Sequence, residues 1–416
     1  MDAEIIAVGS ELLTPRRIDT NSLWLTEQLN ALGVEVTSKT VVGDDRERLA
    51  AAVRTACARS RIVVLTGGLG PTEDDVTRDA VARALNRKLD FRQDILAGIE
   101  RRFRKGNRVM AEINKRQAFV LEGAEALPNP NGTAPGQWLE DAGRAVMLLP
   151  GPPNELKPMF TRECLPRLER LLPPQVILTR SYRVALMAES DLDQRIAPVY
   201  TKYSNPVTTV LAAPGDIQVH LRARCATEAK AESLLAEVGS QIEAILGDWI
   251  YAENLDPLEA VVGNALRARS QTLSLAESCT GGLVAERITS VPGASDYFLG
   301  GFLTYTDRMK TELAGVPEDL LRQHTAVSEP VAEAMARGAR ERTGSTYALS
   351  VTGIAGPAGG TEATPVGTVI IGLAGPDGCR TRRARFLGDR ERVRALAAQT
   401  ALDMLRRELT ARGSKQ

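Results

Sequence analysis

The sequence predicts an α/β protein of three domains, and three observations support this prediction. The chain has 416 residues, which is more than a single hydrophobic core usually accommodates. Apolar runs of strand length alternate with helical patterns in the first and last thirds of the chain. Two short stretches, 171–175 and 251–259, are typical of linkers and divide the chain into domains at 1–170, 171–250 and 255–416.

The first domain is predicted to hold a parallel sheet. Its pattern predicts strands at 5–10, 34–42, 61–68 and 145–150, and helices at 21–33, 44–60 and 92–118. The segment 44–60 begins with acidic residues and closes on basic ones, as the helix dipole favours. Because strands that alternate with helices are joined by crossovers, we expect parallel strands covered by helices on both faces.

The middle domain is predicted to be a small α+β unit. Residues 176–250 read strand, helix, two strands and a long helix rich in Ala and Glu, which is the order of a KH-like module. No GxxG loop lies between its helices, although that loop clamps nucleic acid in KH domains. We therefore expect no nucleic-acid binding by this domain.

The last domain is predicted to alternate strands and helices again. Strands are expected at 272–277, 301–305, 347–353, 366–375 and 380–386, and helices at 258–269, from Gly281, within 309–342 and from Asp389. The segment 353–367 is rich in Gly and Pro and lies between two of these strands. It is therefore predicted to be a loop.

Composition narrows the functional classes. Lys and Arg number 52, as do Asp and Glu, so net charge gives no reason to expect nucleic acid or a membrane as a bulk partner. The N-terminal segment lacks the basic region of a signal peptide, and no apolar run approaches the length of a membrane span. The five cysteines form no CxxC pair, which favours a reducing, cytoplasmic location. Only two histidines are present, which excludes histidine-rich metal sites.

A glycine-rich turn, TGGLGPTEDD at 66–75, follows a predicted strand and precedes a helix. Glycines let backbone N–H groups approach a phosphate, and a helix start favours negative charge. The predicted phosphate ligands are the amides of Gly67, Gly68 and Gly70, and the predicted metal ligands are Asp44, Asp74 and Asp75. An oxygen-ligated Mg²⁺, Mn²⁺ or Co²⁺ is expected, because no histidine lies in this region. The alternative is a tight turn followed by an acid that caps the helix.

A dense basic run, RRFRKGNR at 101–108, continues to Lys115 and Arg116. Such a run is usually the solvated face of a helix. The alternative is a basic wall that shields the charge of a phosphate-bearing substrate.

The segment AESCTGG at 276–282 places two candidate nucleophiles, Ser278 and Cys279, where a predicted strand turns into a helix. Such a junction exposes one residue at the carboxyl edge of a sheet and directs helix N–H groups at an oxyanion. A cysteine nucleophile normally needs a histidine, whereas a lysine with a lowered pKa can deprotonate a serine. Lys310 lies five residues after Tyr305, so Ser278 is favoured. The alternative is a helix cap beside a buried cysteine.

Seven motifs in order along the chain resemble the CinA family (competence/damage-inducible protein A). They are TGGLGPTEDD, LPGPPNE, AESCTGG, TYTDRMK, HTAVSEPV, TGIAGP and FLGDR. The resemblance implies a molybdopterin-binding-like first domain, a KH-like middle domain and a C-terminal α/β amidase that deamidates nicotinamide mononucleotide (NMN). It also implies a metal-dependent ADP-ribose pyrophosphatase in the first domain, where the two family acids fall on Asp44 and Asp75.

The resemblance also assigns roles in the last domain. It implies that Ser278 is the nucleophile and that Tyr305, Lys310, Thr352 and Arg390 complete the catalytic set. Substrate contacts are expected from Cys279, Thr280, Gly281, Gly282, Gly353 and Gly356. The chain departs from the family's YSN segment, because Thr306 and Asp307 follow Tyr305. Arg390 is expected either to bind the NMN phosphate or to hold Lys310 neutral.

The loop 353–367 is expected to cover the substrate, with Thr352 at the strand end donating a hydrogen bond to it. The alternative for this loop is a flexible connector.

Two classes of function remain open. As an enzyme, the chain would convert NMN to nicotinic acid mononucleotide and ammonia without a cofactor, and would cleave ADP-ribose with a divalent metal. Its partners would then be small nucleotides and a second copy in a homodimer. The alternatives are a non-enzymatic interaction protein in competence or DNA repair, or a first domain that binds molybdopterin. The complete set of Ser278, Tyr305, Lys310 and Arg390 favours the enzyme.

Overall fold

The computed structural model describes residues 2–141, 143–173 and 175–413. Pro174, inside the predicted linker 171–175, and residues 414–416, at the end of the predicted last domain, lie outside the described residues. The chain divides into two compact units, Met1–Leu178 with Ala223–Ser233, and Thr179–Arg222 with Leu234–Gln416.

The first unit is built on a six-stranded mixed sheet in the order β2-β1-β3-β8-β7-β6. Its strands are β1 (Asp2–Val8), β2 (Glu35–Val42), β3 (Ile62–Thr66), β6 (Glu125–Leu127), β7 (Gly136–Asp141) and β8 (Arg144–Leu149), with a separate pair β4 (Leu89–Phe91) and β5 (Phe119–Leu121). The strands β2, β1, β3 and β8 run parallel, as predicted, whereas β7 and β6 are antiparallel additions.

The helices of the first unit cover both faces of this sheet. They are α1 (Thr20–Ala31), α2 (Arg46–Arg59), α3 (Thr77–Ala84), α4 (Gln93–Lys105), α5 (Pro153–Met159) and α6 (Leu165–Leu171). Successive strand residues point to opposite faces, so Ile6 and Leu65 enter one apolar cluster while Ile5 and Val64 enter another. The predicted two-sided burial is confirmed.

The helix predicted at 92–118 is wrong in its length. Helix α4 ends at Lys105, and Gly106 and Asn107 follow, the latter with φ of 51°. The chain resumes a helical path only as a short 3₁₀ segment at Glu112–Ala118. A left-handed residue cannot continue a right-handed helix, so the basic run 101–116 is divided between two elements.

The middle segment forms a four-stranded sheet in the order β10-β11-β9-β12. Its strands are β9 (Val176–Ala185), β10 (Val207–Ala213), β11 (Asp216–Cys225) and β12 (Ile250–Ala252), and its helices are α7 (Glu189–Tyr200) and α8 (Glu228–Leu246). The first residues of the predicted linker 251–259 therefore belong to a strand, because β12 pairs with the edge of β9.

The C-terminal segment of the second unit is a five-stranded sheet in the order β14-β13-β15-β16-β17. Its elements are β13 (Leu273–Glu277), β14 (Phe298–Leu303), β15 (Tyr347–Gly353), β16 (Thr368–Gly375) and β17 (Gly378–Arg385), with α9 (Leu258–Ala268), α10 (Leu283–Thr289), α11 (Asp307–Ala314), α12 (Glu318–His324), α13 (Glu329–Thr343) and α14 (Arg390–Gly413).

Strand β13 lies at the centre of the parallel part of this sheet, between β14 and β15. Helices α9, α10 and α14 pack on one face, and α11, α12 and α13 pack on the other. The carboxyl end of β13 therefore opens between the two helical layers, where ligands bind in open α/β sheets. In the part of the chain that the structure describes, no helix is both long and apolar enough to span a membrane.

Candidate functional site

Ser278 lies directly after the last residue of β13. Its backbone N–H donates to Val351 O on β15 at 2.9 Å, while Glu277 O accepts from Thr304 N at 2.7 Å. The neighbouring strands thus hold the end of β13 from both sides. Gly281 and Gly282 follow with φ of 59° and 94°, a left-handed turn that glycine adopts without strain. This turn leaves Ser278 7% exposed at the sheet edge.

Lys310 reaches Ser278 from helix α11, which begins after the cap Thr306. Its Nζ lies 3.4 Å from Ser278 Oγ and donates to Thr304 O at 3.1 Å. The residue is 1% exposed, and burial lowers the pKa of the ammonium, with Asp307 and Cys279 partly opposing that shift. A lysine pushed toward its neutral form beside a hydroxyl can accept the hydroxyl proton.

Arg390 and Tyr305 form a second pair at the mouth of the site. Arg390 begins α14 and donates to Tyr305 Oη and to Gly356 O, each at 3.0 Å. The Tyr305 side chain is thereby oriented by a guanidinium, while Lys310 contacts Ser278 directly. The guanidinium also ties the start of the loop 353–367 to the site.

Thr352 occupies the end of β15, but its hydroxyl donates to Ala326 O at 2.8 Å. This hydroxyl was expected to donate to a substrate, but it donates to a backbone carbonyl instead. The loop after it is anchored at both ends, because Ile354 N donates to Thr368 O at 2.8 Å and Gly367 N donates to Ile354 O at 2.7 Å. Thr352 thus positions the segment before α13.

A cavity of about 170 Å³ brings these side chains together. It is lined by all five residues predicted as catalytic, namely Ser278, Tyr305, Lys310, Thr352 and Arg390, and by Cys279, Asp307, Ala326, Val327, Gly353 and Ala355. The predicted contacts Thr280, Gly281, Gly282 and Gly356 are not part of this lining. Sequence analysis did not assign Asp307 to the site, although its spacing of three residues from Lys310 on a helix places both on one side.

The expected supply of helix N–H groups to an oxyanion is corrected by the structure. The N–H groups of Gly282 and Val284 donate to Glu277 Oε2 at 3.0 and 3.1 Å, and Ala285 N donates to Oε1 at 2.9 Å. A buried carboxylate therefore satisfies the start of α10. Among the described residues, the N–H group of Cys279 has no backbone acceptor, and Cys279 lines the cavity, so this amide is the one left for an oxyanion.

Cys279 is ill suited to be the nucleophile. Its thiol is buried, and burial raises its pKa to about 12. The thiolate is the reactive form of cysteine, and neither histidine of the chain lines the cavity. Of the two adjacent candidates, only Ser278 has a base within reach.

A second site lies at the carboxyl end of β3 in the first unit. The four carbonyls of residues 67–70 all accept hydrogen bonds from the start of α3. Thr77 Oγ1 donates to Gly67 O at 2.8 Å, and Thr77 N donates to Gly68 O at 3.2 Å. The guanidinium of Arg78 donates to Leu69 O and to Gly70 O at 2.7 Å each. Arg78 is 5% exposed, so a buried cation lies directly behind the glycine-rich turn.

The amides of this turn are used differently from the prediction. Gly67 N donates to Leu149 O at 3.0 Å and Gly70 N to Asp75 Oδ1 at 2.7 Å. For Gly68 and Leu69 the described residues offer no acceptor, so these two amides remain for an anion. Gly67 is required by space, because a Cβ there would lie 2.3 Å from Val8 O.

The three predicted metal ligands line one cleft but do not act alike. The cleft has a volume of about 610 Å³, and Asp44, Asp74 and Asp75 are among its lining residues. Both oxygens of Asp75 accept hydrogen bonds from the turn, from Gly70 N at 2.7 Å and from Thr72 N and Oγ1 at 2.8 and 2.6 Å. Within the described ranges, no three acidic, histidine or cysteine side chains converge on one point.

The basic residues of the run 101–116 do not line this cleft. Arg116 pairs with Glu73, and the arginines of α4 are exposed to solvent. The basic side chain that lines the cleft is Arg17, before α1, together with the acids Glu11, Asp19 and Glu155. Arg17 was not among the predicted site residues, because a lone arginine in a loop carries no periodic signal.

Three family models match the chain. They are a probable molybdopterin binding domain over residues 4–170, the damage-inducible protein CinA KH domain over 179–252 and the CinA C-terminal domain over 255–409. A CinA-like protein of Solibacter usitatus is 62% identical over 410 residues, which cover 99% of each chain. A putative competence-damage inducible protein of Caldicellulosiruptor bescii is 42% identical over 409 residues, which cover 98% of this chain and 99% of its own.

Solved structures of CinA superfamily proteins also match part of the chain. A CinA superfamily protein from Klebsiella pneumoniae is 35% identical to this chain, with a TM-score of 0.36, and the match covers 37% of this chain and 96% of that one.

Proposed function

The chain belongs to the CinA family, and on this premise we propose that its last domain is an amidase that converts NMN to nicotinic acid mononucleotide and ammonia. The observation that carries the proposal is the 3.4 Å approach of Lys310 Nζ to Ser278 Oγ inside a small cavity. A buried serine–lysine pair is an acyl-transfer arrangement, and a carboxamide carbon is an acyl centre.

The reaction follows from these positions. Ser278 Oγ bonds to the carboxamide carbon while its proton passes to Lys310, and the oxyanion forms near the amide of Cys279. The C–N bond then breaks, Lys310 returns the proton to the leaving nitrogen, and ammonia departs from an acyl-serine. Water adds and gives its proton to Lys310; the carbon–Oγ bond then breaks, Lys310 returns this proton to Ser278 Oγ, and the carboxylic acid is released.

Arg390 would hold the other end of the substrate. Its guanidinium stands at the cavity mouth, already oriented by Gly356 O and Tyr305 Oη. A phosphate attracts a guanidinium strongly and in a defined geometry. This placement supports phosphate binding more than an effect of Arg390 on Lys310.

The experiment is an ammonia assay with NMN on the full chain and on two adjacent variants. Ser278→Ala should lose nearly all turnover, whereas Cys279→Ala should keep most of it. Normal turnover in Ser278→Ala, or a loss confined to Cys279→Ala, would contradict the proposal.

For the first domain we propose hydrolysis of ADP-ribose at the pyrophosphate. The cleft supports this proposal because it joins two available amides, those of Gly68 and Leu69, to accessible carboxylates, with the buried cation Arg78 behind the turn. Asp44 and Asp74 would hold a divalent cation, while Asp75 holds the turn. Magnesium commonly uses one or two carboxylates plus substrate phosphates, so a cluster of three protein ligands is not required. When bound, the cation would neutralise phosphate charge.

Formation of AMP from ADP-ribose tests this second proposal. Asp44→Asn and Asp74→Asn should each reduce AMP formation and leave ammonia release from NMN unchanged. If neither variant affects AMP formation, or if the chain only retains a pterin, a binding domain is the better description.

A further inference from the structure

Asp307 brings a negative charge into the deamidase cavity. It is the first residue of α11 and lines the cavity, with its side chain 65% exposed toward the mouth. Its Oδ1 lies 3.8 Å from Lys310 Nζ. The carboxylate of Asp307 therefore lies beside Lys310 and remains exposed to solvent.

The other charged and titratable groups around Lys310 come from three directions. Cys279 follows β13, Tyr305 precedes α11, and Arg390 begins α14. Glu277 lies behind the site with its two oxygens occupied by three N–H groups of α10. Among the described lining residues, Asp307 is therefore the single carboxylate of the cavity.

The reaction brings the substrate ring close to this carboxylate. For attack, the carboxamide carbon must approach Ser278 Oγ to about 3 Å. The ring is bonded directly to that carbon, and Lys310 Nζ lies only 3.4 Å from the same Oγ. A ring seated this way occupies the 170 Å³ cavity that Asp307 lines.

The pyridine ring of NMN carries a positive charge, and its phosphate carries a negative one. The cavity offers matching charges, a carboxylate at Asp307 and a guanidinium at Arg390. We propose that Asp307 makes the site selective for nucleotides whose ring is cationic. This inference rests on the proposed deamidase function.

A competing explanation is that Asp307 only favours the start of α11, since acids in the first turn of a helix are stabilising. Asp319 provides the matched control. It occupies the first turn of α12, is 92% exposed and does not line the cavity. Asp307→Asn and Asp319→Asn thus remove the same charge from the first turn of two neighbouring helices.

The experiment compares NMN with its dihydro form, which has the same phosphate, ribose and carboxamide but an uncharged ring. Dissociation constants are measured in the Ser278→Ala background, with and without each Asp→Asn change. Asp307→Asn should weaken NMN binding about three- to five-fold, as expected for a partly exposed charge, and leave the dihydro form within two-fold. Asp319→Asn should change neither.

Equal weakening of both ligands by Asp307→Asn, or no weakening of either, would overturn the inference. Its failure is separable from failure of the deamidase proposal. If the unmodified chain releases ammonia from NMN while the binding ratio stays unchanged, only the role of Asp307 is wrong. If NMN neither binds nor reacts, both proposals fall.

Discussion

Lys310 is buried to 1% exposure, and its one backbone acceptor is Thr304 O at 3.1 Å. Lys310→Arg keeps the positive charge and a donor to that carbonyl, but arginine does not act as a base. We expect turnover of NMN to fall by about 10²–10⁴-fold, the usual contribution of a general base. The exposed Lys202→Arg serves as control, and near-normal turnover in Lys310→Arg would disprove the assigned base.

The pH dependence of the reaction follows from the same lysine. Only neutral Lys310 accepts a proton, so kcat/KM should fall as the pH drops through its pKa, which burial lowers and Asp307 partly raises. Removing that carboxylate in Asp307→Asn should lower the pKa of Lys310 further. The acid limb of the kcat/KM profile should then move to lower pH, and only slightly, because Asp307 is largely solvated. A shift to higher pH would contradict this electrostatic relation.

At the scale of elements, the junction between β13 and α10 is organised by Glu277. This carboxylate is 2% exposed and accepts three N–H groups from the start of the helix. Glu277→Gln turns one acceptor into a donor that faces N–H groups. We expect a loss of about 1–3 kcal/mol in the free energy of unfolding, measured by denaturant titration. Glu286→Gln, on the exposed side of α10, should leave the free energy of unfolding unchanged. An equal loss in Glu286→Gln would contradict the role assigned to Glu277.

The corresponding junction between β3 and α3 depends on Arg78. Its guanidinium holds two successive carbonyls, which an ammonium on a lysine stem does not reach in the same fork geometry. Arg78→Lys should therefore raise the KM for ADP-ribose several-fold by loosening the turn, while NMN turnover stays normal. Arg83→Lys, on the exposed side of α3, is the matched control, and an unchanged KM in Arg78→Lys would count against this view.

At the scale of the whole molecule, the two proposed activities should be separable. Every residue that lines the 610 Å³ cleft belongs to the first unit, and every residue that lines the 170 Å³ cavity belongs to the second. Chelation by EDTA should abolish AMP formation from ADP-ribose, because the first site relies on a cation. Ammonia release from NMN should stay within two-fold, since Ser278 and Lys310 need no metal. Loss of both activities on chelation would show that the deamidase also requires one.

The fold class follows from the sequence alone, as do the five residues predicted as catalytic, which all line the 170 Å³ cavity. Apolar periodicity locates most of the strands and helices, because burial on both faces of a parallel sheet leaves unbroken apolar runs. The strand-to-helix motif around Ser278 and the lysine after Tyr305 were sufficient to nominate the pair that the structure brings to 3.4 Å. The antiparallel strands β6 and β7 escaped prediction, and for β6 the reason is that an edge strand of three residues carries little periodic signal.

The hydrogen-bond partner of each polar group depends on the tertiary structure. The sequence does not show that Glu277 accepts the N–H groups at the start of α10 or that Asp75 accepts those of its own turn. Nor does it show that the Thr352 hydroxyl donates to Ala326 O. The folded backbone selects each of these partners, both the near ones of Glu277 and Asp75 and the distant one of Thr352, and each donor satisfied in this way is unavailable to a ligand. Helix α11 places Asp307 and Lys310 on one side, but only the folded chain brings both to the cavity lined by Ser278, so the charge offered to a substrate is a property of the folded chain.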